Sequence, residues 1–71
     1  MMFAEIIKHT RQKMFMSQEV FAQHLNVTLS TVNRWENGKS RPNLSTMKRI
    51  KEFCSDNHID YQVIEDSWLS S

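Results

Sequence analysis

The stretch SQEVFAQHLNVTLSTVNRWENG, from Ser17 to Gly38, decides the fold. It reads as two short helices joined by a tight turn. Ser17 is an N-cap residue, because its hydroxyl accepts from an orphan N–H of the first turn. Phe21, Ala22 and Leu25 then fall on one helical face. Asn26-Val27 breaks that spacing, and Asn tolerates the left-handed backbone that a tight turn needs. Thr28 restarts the pattern as a second N-cap. Val32 and Trp35 lie three apart on the new inner face, and Gly38 is placed to stop the helix. Two helices this short cannot bury their apolar faces alone, so the flanking segments must supply the rest of a core.

Those segments read the same way. Phe3, Ile6, Ile7, Thr10 and Met14 recur at helical spacing, with Glu5, Lys8, Arg11 and Lys13 largely off the stripe. A first helix over Phe3 to about Met14 follows, with Phe15-Met16 as a short link. GKSRPN, from Gly38 to Asn43, is a basic loop whose Pro42 blocks helical continuation. Asn43 caps a fourth helix to about Asp56, with Leu44, Met47, Ile50, Phe53 and Cys54 expected inward. Asp60 caps a last short helix, Tyr61 to about Leu69, whose apolar residues are Tyr61, Val63, Ile64 and Trp68. Ser70-Ser71 should fray. The expectation is an all-α, compact four- to five-helix domain spanning residues 1–71, with an acidic helix or tail over about 60–71.

Composition narrows the class. The chain has 71 residues, 39% of them hydrophobic, with one Gly, one Pro and one Cys. That favours one small helical domain near the lower limit for a self-sufficient core. The lone Cys54 forms no internal disulfide, so a stapled secreted scaffold is excluded. No apolar run approaches the roughly 20 residues that span a bilayer. The opening MMFAEIIKHTR lacks the basic lead and long apolar run of a signal peptide. A reducing, cytoplasmic compartment is the expectation. Net charge is only +1, but it is unevenly spread. Thr28 to Lys51 holds six bases (Arg34, Lys39, Arg41, Lys48, Arg49, Lys51) against Glu36 alone. From Glu52 onward there are five acids and no Lys or Arg. A cationic middle attracts phosphate while an acidic tail faces away, or the charges are two ordinary solvated faces.

The residues SQEVFAQHL, the run V-T-x-S-T-V-x-R-W-E-N-G, the G-K-x-R-P loop and LSTMKRIKEFC together resemble the Cro/CI-type (Xre-like) phage-repressor family of helix-turn-helix proteins. The resemblance covers roughly Ile6 to Cys54. It implies a lambda-repressor-like fold and sequence-specific binding of duplex DNA by a transcriptional regulator, a repressor in the family's best-known form. Two departures stand out. Asn26 occupies a turn position where the family usually has Gly, and Val20 occupies the third helical position, where a capping box needs an acid or amide.

A helix in the major groove reads bases with its first turn and outward face. Counting from Thr28, those positions are Leu29, Ser30, Asn33 and Arg34, the same ones to which the resemblance points. Arg34 carries a planar fork suited to guanine O6 and N7; otherwise it meets phosphate or solvent. Asn33 pairs with an adenine edge or faces water. Ser30 discriminates weakly, and Leu29 packs on a thymine methyl or on a neighbouring helix. For the backbone, the resemblance implies a phosphate contact at Gln18, where helix N–H groups favour an anion. Thr28, Asn37, Lys39, Ser40 and Arg41 border the reading helix, where the flanking strand would run. Lys48 and Lys51 fit a solvated face better. In this family an Arg of the first helix commonly pairs with the Glu at position 36, which implies an Arg11–Glu36 structural ion pair. Trp35 reads as a packing residue rather than a base-stacking one.

Catalysis is not indicated. His9, His24 and His58 are scattered with no Cys at metal spacing, so no metal or other cofactor is expected. Ser17 has no accompanying base, and one Gly cannot make a phosphate loop. The alternative on the same fold is a protein-interaction module, or the antitoxin of a toxin–antitoxin pair, docking a partner through Tyr61, Val63, Ile64, Trp68 and Leu69; the plainer expectation is that these residues close the base of the core. Because one domain reads few base pairs, a homodimer on a pseudo-palindromic operator is expected, with half-sites about 34–36 Å apart. The fourth helix, the last helix or both would form its interface. The chain is then either a minimal regulator or a piece of a longer one.

Overall fold

The computed structural model describes residues 2–70, which form α1 (Phe3–Lys13), α2 (Gln18–Leu25), α3 (Leu29–Glu36), α4 (Leu44–Asp56) and α5 (Gln62–Ser70). No strand occurs among the described residues, so the domain is all-α. α2, α3 and α4 start on side-chain caps, whereas α1 starts at Met2 without one. Ser17 Oγ accepts from Val20 N–H at 3.1 Å, Thr28 Oγ1 from Thr31 N–H at 3.1 Å, and Asn43 Oδ1 from Thr46 N–H at 2.9 Å. Asp60 Oδ1 accepts from Gln62 N–H at 3.0 Å, one position earlier than a conventional N-cap.

The first four helices stop on one backbone device. Phe15, Asn26, Gly38 and His58 all take the left-handed conformation, with φ of 57°, 56°, 71° and 57°. The residue after each donates its N–H back five positions. Met16 reaches Arg11 O at 3.4 Å, Val27 reaches Ala22 O at 3.0 Å, Lys39 reaches Arg34 O at 2.9 Å, and Ile59 reaches Cys54 O at 2.8 Å. This is the Schellman motif, and it satisfies carbonyls that would otherwise be orphaned. Three of the four donors, Met16, Val27 and Ile59, then press their side chains on the core. At Gly38 a Cβ would meet nothing within 4 Å, so the demand for Gly there comes from φ alone.

α1 packs on α3 and α5, while α2 packs on α3 and α4. The core joins Phe3, Ile6 and Ile7 of α1 to Phe21, Ala22 and Leu25 of α2, Val32 and Trp35 of α3, Met47, Ile50, Phe53 and Cys54 of α4, and Ile64 of α5. Phe21 meets Phe53 edge-to-face, centroids 5.5 Å apart, which fixes α2 against α4. Burial of side chains this size contributes about 1.5–3 kcal/mol each.

Three expectations at the helix faces are corrected. Leu44 is 71% exposed instead of buried. At 3.6 residues per turn it lies about 120° round from Ile50, the centre of the buried stripe, and Thr46 takes the inward place. Val63 is likewise exposed, and Ser67 is buried in α5 with its hydroxyl donating to Ile64 O at 2.8 Å. Ser70 does not fray but ends α5, its hydroxyl donating to Asp66 O at 2.9 Å; Ser71 lies outside the described residues. Among the described residues no helix is long and apolar enough to cross a membrane.

Candidate nucleic-acid interface

α3 is short because Thr28 starts it and Gly38 ends it, and only one of its faces is consumed by the core. Val32 and Trp35 point inward at 0% and 2% exposure. Turned away from that stripe, Leu29, Ser30, Asn33 and Arg34 are all exposed, Leu29 at 46%. These four side chains, with Gln18 from the start of α2, line one shallow open concavity.

Beneath that face lies a closed polar chain. Arg11 of α1 makes a two-pronged pair with Glu36, Nε to Oε2 at 2.7 Å and Nη2 to Oε1 at 2.9 Å. Its remaining prong donates from Nη1 to Met16 O at 2.9 Å, so one guanidinium ties α1, the α1–α2 link and α3 together. Only 3% of the Glu36 side chain and 13% of Arg11 is exposed. The hydrogen bond to Glu36 pushes the Arg11 pKa further up, with burial opposing and the Glu36 charge adding to the rise. The carboxylate charge is thus neutralised inward and presents little repulsion to an approaching phosphate.

The chain continues to the surface. Gln18 Nε2 donates to Glu36 Oε1 at 3.0 Å, and Asn33 Nδ2 donates to Gln18 Oε1 at 3.3 Å. Asn37 Nδ2 donates to Asn33 Oδ1 at 3.2 Å and to Asn33 O at 2.8 Å. An ionised carboxylate only accepts, so Gln18 must turn its NH2 to Glu36 and its oxygen toward Asn33. The buried pair therefore sets which way the Asn33 amide faces. Each end of that amide keeps a second site, since its NH2 has two hydrogens and its oxygen two lone pairs.

Two shoulders flank α3. Behind it, Lys39 and Ser40 are exposed. Arg41, also exposed, places its guanidinium 4.6 Å above the Trp68 ring and donates from Nη1 to Trp68 O. In front, Thr28 Oγ1 is 2.8 Å from Thr31 Oγ1 besides capping α3. Among the other bases, Lys48 is exposed and Lys51 sits 5.8 Å from the Tyr61 ring. Arg49 belongs to the fold instead: Nη1 donates to Leu25 O at 3.0 Å and Asn26 O at 3.2 Å, capping the end of α2 at its turn.

Three features were not read from the sequence: Gln18 as a bridge between Glu36 and Asn33, Arg49 as a cap, and Trp68 as a neighbour of the Gly38–Asn43 loop. The partners of Arg49 and Trp68 lie more than 20 residues away, so no local spacing reveals them. No group of three metal-ligating side chains is gathered among the described residues.

Comparison with known proteins agrees with this architecture. Residues 7–55 match the family model described as helix-turn-helix. The chain is 34% identical over 55 residues to the HTH-type transcriptional activator BcrR of Enterococcus faecalis. That match covers 78% of this chain and 27% of the relative, so the chain spans only a part of that protein's length. No solved structure matches.

Proposed function

Because the chain belongs to the helix-turn-helix family of Xre/Cro–CI type, we propose that it binds duplex DNA sequence-specifically and regulates transcription. The observation that carries this reading is the outer face of α3, where Leu29, Ser30, Asn33 and Arg34 stand exposed together beside the α2 start. A pure interaction module would be expected to offer an apolar or acidic face there. α3 enters the major groove. Arg34 takes a guanine edge with its fork, Asn33 an adenine edge, Ser30 a neighbouring base, and Leu29 a thymine methyl. Gln18 and Thr28 meet one strand's phosphates, and Asn37, Lys39, Ser40 and Arg41 meet the other's. A homodimer places two such units on a pseudo-palindrome, half-sites about 34–36 Å apart.

Titration with duplex DNA over a salt series tests the proposal. The logarithm of affinity should fall linearly with the logarithm of salt, with a slope near −0.9 per neutralised phosphate. Absence of any salt-sensitive complex would remove the reading.

A further inference from the structure

The outer face of α3 carries a hydrogen-bonded chain whose two ends can only accept. At one end is the Glu36 carboxylate. Arg11 donates to both of its oxygens, at 2.7 Å and 2.9 Å, and Gln18 Nε2 donates to Oε1 at 3.0 Å. At the other end is the main-chain carbonyl of Asn33, which accepts from Asn37 Nδ2 at 2.8 Å. Three side-chain amides lie between. Glu36 makes Gln18 present its oxygen to Asn33, and the Asn33 carbonyl makes Asn37 present its NH2. The Asn33 amide completes this chain in one orientation only. Its Nδ2 donates to Gln18 Oε1 at 3.3 Å, and its Oδ1 accepts from Asn37 Nδ2 at 3.2 Å. Turned over, it would set oxygen against oxygen and NH2 against NH2. Asn33 is still exposed, lining the open concavity with Ser30 and Arg34.

We propose that Gln18 is a positioning residue for base choice, fixing through its bridge to Glu36 which end of the Asn33 amide donates to a base and which accepts. This deepens the DNA-binding reading above and rests on it. Adenine offers an acceptor, N7, beside a donor, the N6 amino group. The pinned amide meets that edge in one sense, with N7 on the side of Gln18 and N6 on the side of Asn37. Guanine offers two acceptors, N7 and O6. A free NH2 serves both with its two hydrogens, but the pinned one has given a hydrogen to Gln18 and has one left. The bridge therefore turns an amide that accommodates either purine into one that favours adenine. Fixing the amide beforehand also reduces the freedom it loses on contact. Gln18 does this without touching the base: a residue of α2 sets what a residue of α3 presents.

The test is selection from a random duplex pool at one salt concentration, using the full chain, Asn33→Ala, Gln18→Met and the double variant. Asn33→Ala marks the base pair that Asn33 reads, by loss of the adenine preference there. Gln18→Met keeps the length of the side chain and removes both of its hydrogen bonds. It should lower the preference for adenine over guanine at that same base pair about three- to tenfold, and leave other positions within about twofold. In the Asn33→Ala background it should cause no further relaxation. Gln18→Ala should repeat the result, and it carries the test if the Met variant melts below the assay temperature. Three results would overturn the inference while leaving DNA binding intact. The first is an Asn33→Ala chain that loses no base preference. The second is a loss of affinity by Gln18→Met equal for all sequences, which would make Gln18 a phosphate contact only. The third is a relaxation by Gln18→Met that persists without Asn33, which would make Gln18 the base reader. If the unsubstituted chain enriches no sequence, the inference falls together with the reading beneath it.

Discussion

Phe15 is the residue least suited to its backbone. It is 97% exposed, and its φ of 57° is one that bulky side chains rarely adopt. Helix ends of this kind favour Gly at that position. Phe15→Gly should therefore stabilise the domain by about 0.5–1 kcal/mol, relief of left-handed strain outweighing the greater unfolded-state entropy of Gly. For a chain this size that is a rise of about 2–8 °C in Tm, readable by thermal denaturation. A lower Tm would mean that Phe15 makes a stabilising contact. Cys54 gives a second residue-scale prediction. Burial, with a smaller push from the Asp60 charge, raises its thiol from 9.0 to about 11. The folded state disfavours the thiolate, so the contribution is full below pH 9 and is lost as pH rises to about 11. Tyr61 shifts in the same direction, chiefly by burial. Urea unfolding should show stability falling over that window, and Cys54→Ala should make the fall shallower. The Phe15 and His58 turns were not legible in the sequence, because the demand for positive φ is a property of the Schellman bond pattern and neither residue type advertises it. Asn26 and Gly38 were legible because they do.

At the scale of elements, the Arg11–Glu36 pair decides how α1 meets α3. Removing one partner leaves a charge in a site that is almost closed to water, while removing both does not. Arg11→Ala should cost about 3–5 kcal/mol in denaturant unfolding, and Arg11→Met with Glu36→Leu should recover most of that loss. Equal losses in the single and double variants would contradict a closed pair. Helix positions followed from caps and apolar spacing, since Ser17, Thr28 and Asn43 each accept the hydrogen bond that a cap requires. Face assignments failed where a residue sat at the border of a stripe. Leu44 begins its helix and Val63 flanks Ile64, and for both the neighbour that completes the core is a small polar residue. The exposed set on α3 was legible because Val32 and Trp35 fix the phase of a helix of only 8 residues. Its polar wiring was not, because Glu36, Gln18 and Asn33 come together only after α2 and α3 have packed.

For the whole molecule, the basic middle of the chain and the exposed face of α3 point to the same partner. The exposed bases behind α3, above all Lys39, border the reading face, and Asp60, Glu65 and Asp66 belong to the α5 end of the chain. Lys39→Ala should weaken binding to all sequences alike and reduce the salt slope by about one, measured by titration over a salt series. A loss confined to one sequence would move Lys39 from phosphate to base. The central claim is that the exposed face of α3 chooses DNA sequence, and selection from a random duplex pool at stated salt tests it most directly. The unsubstituted chain should enrich a two-fold-related pair of short half-sites, and Arg34→Ala should lose preference at one base of each half-site, at a cost of about 1–3 kcal/mol. Recovery of an unenriched pool, or of the same site with the same preference by Arg34→Ala, would contradict the account.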